Sequence, residues 1–187
     1  MAEELLKKIP AERRWEITAN ILSSLFVLRG EKIIAPALGM DEGITAPVMG
    51  AEKWIEINVK IFGEGAKILF QMFKDMFNIS VEDAIGAAKL VDVVAVLELG
   101  PNNSTEFTEY AEESPERVVE RQYKCTWMER YKEFNVDPVF ITCDKGVCQA
   151  WGEEGLKAIN PKLSWKVTKS MPRGDPYCEL VIEFKEN

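Results

Sequence analysis

The sequence predicts an α+β fold: N-terminal helices packed on a four-stranded antiparallel sheet with a helical crossover. Three observations carry this prediction. Up to residue 100 the apolar residues recur at helical spacing. After residue 103 the period changes to two, with β-branched and aromatic residues. The two patterns are segregated along the chain, as in α+β proteins, and do not alternate as in a parallel sheet. A length of 187 residues suits one core, so one domain is expected over 1–187, with 1–100 helical and 101–187 β-rich and cysteine-bearing.

Residues 11–29 read as a helix, with Trp15, Ala19, Leu22 and Phe26 on one side. Pro10 stands where it would begin and Gly30 where it would stop. Residues 30–50 are dense in glycine and proline yet apolar, which predicts packed turns or a broken helix. Residues 51–77 form a long helical pattern. Gly63 and Gly65 fall inside it, each lowering helix preference by about 1 kcal/mol relative to Ala. They predict a kink or the close passage of another backbone. The next helix is expected to begin at Ser80, with Asp83 imitating a capping box. It is apolar nearly all round, with only Lys89 and Asp92 charged in its middle, which describes a buried helix.

The strand patterns cover 105–111, 117–125, 163–170 and 177–185. In the second, Val119, Arg121, Tyr123 and Cys125 share a face. In the third, Leu163, Trp165 and Val167 do, and in the fourth Cys178, Leu180, Ile182 and Phe184. Ser114-Pro115 predicts a turn, and MPRGDP a hairpin link using Gly174 for a positive φ. Two helical pieces fill the crossover: TWMERYKEF, and one within 138–159 with Cys143 near its start and Asn160-Pro161 at its end.

Formal net charge is −8, and the acid excess is even: 11 basic and 15 acidic residues in 1–100, 12 and 16 in the remainder. This disfavours a nucleic-acid footprint and attraction to an anionic membrane. No apolar run reaches the roughly 18 residues that span a bilayer, and MAEELLKKIPAERR lacks the apolar core of a signal peptide. A cytoplasmic location is therefore expected. The partner implied is a small-molecule ligand or substrate, and a homodimer is left open.

The chain has no histidine, so general-base or metal chemistry must lean on thiols and carboxylates. All four cysteines, Cys125, Cys143, Cys148 and Cys178, lie in the last third. Three fall at expected element ends, where Cys125, Cys143 and Cys178 are predicted to approach one another. A helix N-terminus favours a thiolate, which makes Cys143 the leading nucleophile. Asp144 adjoins it, and Asp175 precedes Cys178 by three residues. The cysteines are separated by 17, 4 and 29 residues. These gaps lack the close pairs of a zinc site, yet a metal or iron–sulfur centre on Cys125, Cys143, Cys148 and Cys178 stays an alternative.

The order Cys125, Cys143-Asp144, Pro161, Gly174-Asp175 and Cys178 resembles the L-2-amino-thiazoline-4-carboxylic acid hydrolase-like family. The resemblance covers roughly residues 80–185. The chain is also similar, more distantly, to the 4-vinyl reductase domain. The first resemblance implies a pocket between helices and sheet with cysteines at its rim, and hydrolysis of a small C–N or C–S substrate without a required cofactor. The second implies a non-catalytic domain that binds or senses a large apolar ligand or tetrapyrrole. For the hydrolase, Cys143 would attack, Asp144 or Asp175 would move the proton, and Cys125 and Cys178 would complete the catalytic set. Arg121 or Arg173 would hold a substrate carboxylate through a bidentate contact, with Tyr123 and Trp127 beside them.

Overall fold

The computed structural model describes residues 8–10, 13, 51–99, 107–125 and 146–185. The expected helix at 11–29, the breaker-rich stretch at 30–50 and the TWMERYKEF piece lie outside the described residues, as do Trp127, Cys143 and Asp144.

Helix α1 runs Ala51–Phe77, through both glycines. Gly63 permits a close approach: a Cβ there would lie 3.2 Å from Cγ of Glu154 and 3.8 Å from the Ala150 carbonyl oxygen, both on the crossover helix. The chain leaves α1 through Asn78, which takes a left-handed φ of 51°. The amides of Asn78 and Ile79 then bond back to the carbonyls of Asp75 (3.3 Å) and Lys74 (3.0 Å). This C-terminal motif satisfies carbonyls that the helix leaves open.

Helix α2 spans Ala84–Leu99. It starts later than Ser80 because Asp83 is the residue that caps it. The Asp83 carboxylate accepts the Gly86 amide at 2.7 Å. Another first-turn amide, that of Ala84, bonds to the Pro115 carbonyl at 2.8 Å, which ties the helix start to a strand turn. Ala84, Ala87, Ala88, Leu90, Val91, Val93, Val94, Ala95, Val96 and Leu97 are all buried.

Strands β1 (Thr108–Glu113), β2 (Arg117–Gln122), β3 (Leu163–Lys169) and β4 (Cys178–Phe184) form an antiparallel sheet in the order β1-β2-β4-β3. Ser114 and Arg117 bond reciprocally around Pro115-Glu116, as the turn signal predicts. Helix α3 (Val147–Ile159) makes the crossover between β2 and β3. A short 3₁₀ turn (Met171–Arg173) and Gly174 at φ 95° close the last hairpin.

Helix α2 lies against β2 and β4, α3 against β3, and α1 packs chiefly on α3. One buried cluster joins all of them: Phe70 and Phe73 from α1, Leu90 and Val94 from α2, Leu156 from α3, and Val118, Trp165, Leu180 and Ile182 from the sheet. Trp151 of α3, partly buried, packs against it. Its ring meets Phe70 edge-on at 4.9 Å and Trp165 at 6.1 Å. Of the Met and Phe side chains near the end of α1, Phe70 and Phe73 are buried, Met72 and Phe77 pack against the core, and Met76 is exposed.

Candidate functional site

The inner face of the sheet is set by strand alternation. On β4 it carries Cys178, Leu180, Ile182 and Phe184, as expected. On β2 it carries Val118, Glu120 and Gln122, while Val119, Arg121 and Tyr123 turn outward. The register places Cys178 opposite Gln122 and Leu180 opposite Glu120. Tyr110 of β1 stands opposite Glu120 on the other side. One end of an otherwise apolar face therefore bears a polar row of Cys178, Gln122, Glu120 and Tyr110. Asp92 of α2 meets it from the helix side.

The hydrogen bonds knit this row together. The Gln122 side-chain amide donates to Oε1 of Glu120 at 2.8 Å. The Tyr110 hydroxyl donates to Oδ2 of Asp92. The second Glu120 oxygen, Oε2, is buried and has no partner. Burial is the main cause that pushes Glu120 up to about 8, helped by the Asp92 charge and opposed by the Gln122 bond. Burial likewise pushes Asp92 up to about 6, against the Tyr110 hydrogen bond. At neutral pH Glu120 therefore keeps its proton near the Asp92 carboxylate. Burial and the neighbouring acids raise the Tyr110 hydroxyl well above its ordinary value, so it serves as a donor. Farther along α2, the Trp151 indole donates to Glu98 at 2.7 Å. Burial still lifts Glu98 to about 7.

The thiol end has its own fixed geometry. The Met171 amide donates to Sγ of Cys178 at 3.4 Å. Asp175 accepts the Ser170 amide at 2.7 Å, so its carboxylate closes the hairpin. The Ser170 hydroxyl is buried without a partner beside that turn. Cys125 lies three residues beyond the end of β2, at the same end of the sheet as Cys178.

Helix α3 begins at Val147, after Gly146 in extended backbone. Cys148 therefore occupies its first turn, the place expected for Cys143, and its carbonyl accepts the Trp165 indole at 3.2 Å. Arg121 and Tyr123 lie on the sheet face opposite Cys178. Arg121 is bound to Glu179 at 3.0 Å and stands 5.3 Å from the Tyr177 ring, and Tyr123 donates to Glu109. Burial alone would raise Glu179, but bonds from Arg121 and Thr168 and the Lys169 charge hold it below its usual value. Arg173 is exposed on the hairpin. No group of three or more Cys, Asp or Glu residues is placed to hold a metal ion among the described residues.

Asp92, Tyr110, Glu120 and Gln122 are absent from the sequence-level set. Asp92 gave a signal, as one of two charges in an apolar helix. Glu120 gave none, because adjacent Val118 and Val119 leave the period of β2 ambiguous. No family model matches the chain, and no curated protein matches it.

Proposed function

We propose that this protein is a cytoplasmic, thiol-dependent hydrolase of a small molecule, cleaving a C–N or C–S bond at the inner sheet face beside α2. The observation that carries the reading is the polar row itself. A thiol with an amide donor on its sulfur is followed by Gln122 and by a buried acid pair that retains a proton. Each part answers a need of the chemistry. The Cys178 sulfur attacks an sp² carbon, and the Met171 amide offsets negative charge on the attacking thiolate. The proton held by Asp92 and Glu120 passes to the departing nitrogen or sulfur. The pair, now charged, accepts a proton from water as that water displaces the sulfur from the carbon. Cys178 enters the cycle as the thiolate and is released as the thiolate, the acid pair ends with the proton it began with, and no histidine is needed.

The test is a panel of small amides, cyclic amidines and thioesters, with product release followed by mass spectrometry. Cys178→Ser and Glu120→Gln should each lower turnover by about a hundredfold or more, the usual range for losing an acid–base group. Cys143 is the competing thiol. Turnover lost in Cys143→Ser and kept in Cys178→Ser would move the nucleophile there and overturn the assignment to Cys178. In the described residues no helix is long and apolar enough to cross a membrane, which supports the cytoplasmic reading.

A further inference from the structure

The two edges of the sheet are finished differently. At β3 the Gln149 side chain takes the Trp165 carbonyl and the Val167 amide. At β1 no side chain does the same among the described residues. On the inner side of this strand, toward β2, the Tyr123 amide bonds to the Phe107 carbonyl, and Ser114 and Arg117 bond reciprocally. Between these two points the bulge after Tyr110 absorbs one residue. Strand alternation then turns the main-chain groups of Thr108, Tyr110 and Glu113 away from β2. No main-chain hydrogen bond among the described residues reaches them, and residues 109–113 are all exposed.

Charge decides what kind of strand can add there. Residues 105–116 hold five glutamates, Glu106, Glu109, Glu112, Glu113 and Glu116, and no lysine or arginine. Glu109 and Glu112 pair with Arg121 and Arg117 on the outer face of the sheet. Glu113 and Glu116 take part in no ion pair among the described residues. A second copy pairing through β1 would set glutamate against glutamate, and like charges across strands destabilise a sheet. A basic segment meets attraction at the same edge.

We propose that β1 receives an extended basic segment of another protein as a fifth strand of the sheet. Main-chain bonds to Thr108, Tyr110 and Glu113 supply affinity, and alternate side chains supply specificity. Arginine or lysine belongs at the positions on the inner side. There one pairs with Glu113 and another stacks on the Tyr110 ring, which is 36% exposed. The intervening residues are uncharged, because the outer face beside them already carries Arg117 and Arg121. Binding at this edge needs neither Cys178 nor turnover.

The probe is a six-residue peptide, the length of β1, with arginine and valine alternating and both ends blocked. One control has glutamate in place of arginine. The other is N-methylated at the arginine amides, which keeps the charge and removes the ladder donors. Fluorescence anisotropy of the labelled peptides reads affinity, and amide hydrogen exchange reads where they bind. We expect the arginine peptide to bind and to slow exchange at Thr108, Tyr110 and Glu113, and the glutamate peptide not to bind. The N-methylated peptide should bind at least about tenfold more weakly, a difference of about 1.4 kcal/mol. Glu113→Lys changes an exposed side chain, so it should fold, and it should weaken binding by about as much. Asp75→Lys, on α1, should leave binding unchanged. Equal binding of the N-methylated peptide, or an equal loss in Asp75→Lys, would mean diffuse attraction to an acidic surface and would overturn the proposal. Slowed exchange at the same three amides in the protein alone, growing with its concentration, would give the edge to a second copy and overturn it too.

Discussion

Glu120 sets the pH response of this protein at the scale of single residues. Its folded value, like those of Asp92 and Glu98, is raised above that of a carboxylate in an unfolded chain. The folded state therefore holds more protons than the unfolded state between the ordinary carboxylate range and about pH 8. Stability from these groups is complete below the unfolded values and is lost as pH rises through the folded ones. Glu153 and Glu179 are shifted down, Glu153 chiefly by its bond from Lys157, and act in the opposite sense. Both sit in partly solvated pairs, so their effect is small. We expect the melting temperature to fall between pH 5 and pH 8.5. Glu120→Gln should flatten that fall and raise stability at the alkaline end, as a thermal melt across the range will show. A wild-type protein most stable at pH 8.5 would contradict this assignment.

At the scale of elements, α3 owes its position to two glycines and one glutamine. A Cβ on Gly152 would lie 2.2 Å from the Trp165 ring, and one on Gly155 would lie 2.7 Å from the Phe70 ring. Helix propensity alone favours alanine at both sites by about 1 kcal/mol. The contacts reverse that sign, because overpacking a core costs about 1–3 kcal/mol. Gly152→Ala and Gly155→Ala should each lower the denaturation midpoint. Gly63→Ala presses on the flexible Glu154 side chain and meets the Ala150 carbonyl only at ordinary contact distance, so it should be neutral or stabilising in the same assay. Gln149 does a different job. Its side-chain amide donates to the Trp165 carbonyl at 2.9 Å and accepts the Val167 amide at 3.0 Å. It thereby occupies the open edge of β3, a strand that would otherwise template pairing with another chain. Gln149→Ala should cost about 1–3 kcal/mol for the two stranded groups. It should also increase light scattering on heating.

At the scale of the whole molecule, the sheet separates two environments. Its inner face carries the core and the thiol–carboxylate row. Its outer face is a mosaic of charges around the buried pair Val119 and Val181. Arg117 bonds Glu112 and lies 3.4 Å from Glu183, while Arg121 and Lys169 converge on Glu179. Arg117 and its partners Glu112 and Glu183 are largely solvated, and exposed ion pairs contribute about 0–1 kcal/mol. Arg117→Ala should therefore change stability by less than about 1 kcal/mol, and added salt should shrink even that difference. A loss of several kcal/mol in a denaturant titration would mean that the outer face is far less hydrated than this geometry implies.

Local patterning determined most of the fold. The all-round apolar run identified α2 as buried. The alternation of Leu163, Trp165 and Val167, and of Leu180 and Ile182, identified the inner face of β3 and β4. Gly174 announced its own positive φ. These features are legible because each rests on residues close in sequence acting through a fixed helical or strand period. The start of α2 was less so, since Ser80 and Asp83 are both capable caps and only the finished helix chose Asp83. The face of β2 was ambiguous for a like reason: with Val118 and Val119 adjacent, packing of α2 alone decided that Glu120 points inward. The candidate site was hardest to read. Cys178 was visible as a thiol at a strand end. The partners that give it meaning come from positions 92, 110, 120 and 122, brought together by register and helix docking. Among the described residues, sequence by itself determined which segments are helix and strand and, β2 apart, which sides are apolar. Tertiary structure decided which charges are buried together, because the cost of burying a carboxylate depends on what lies across from it and not on its neighbours along the chain.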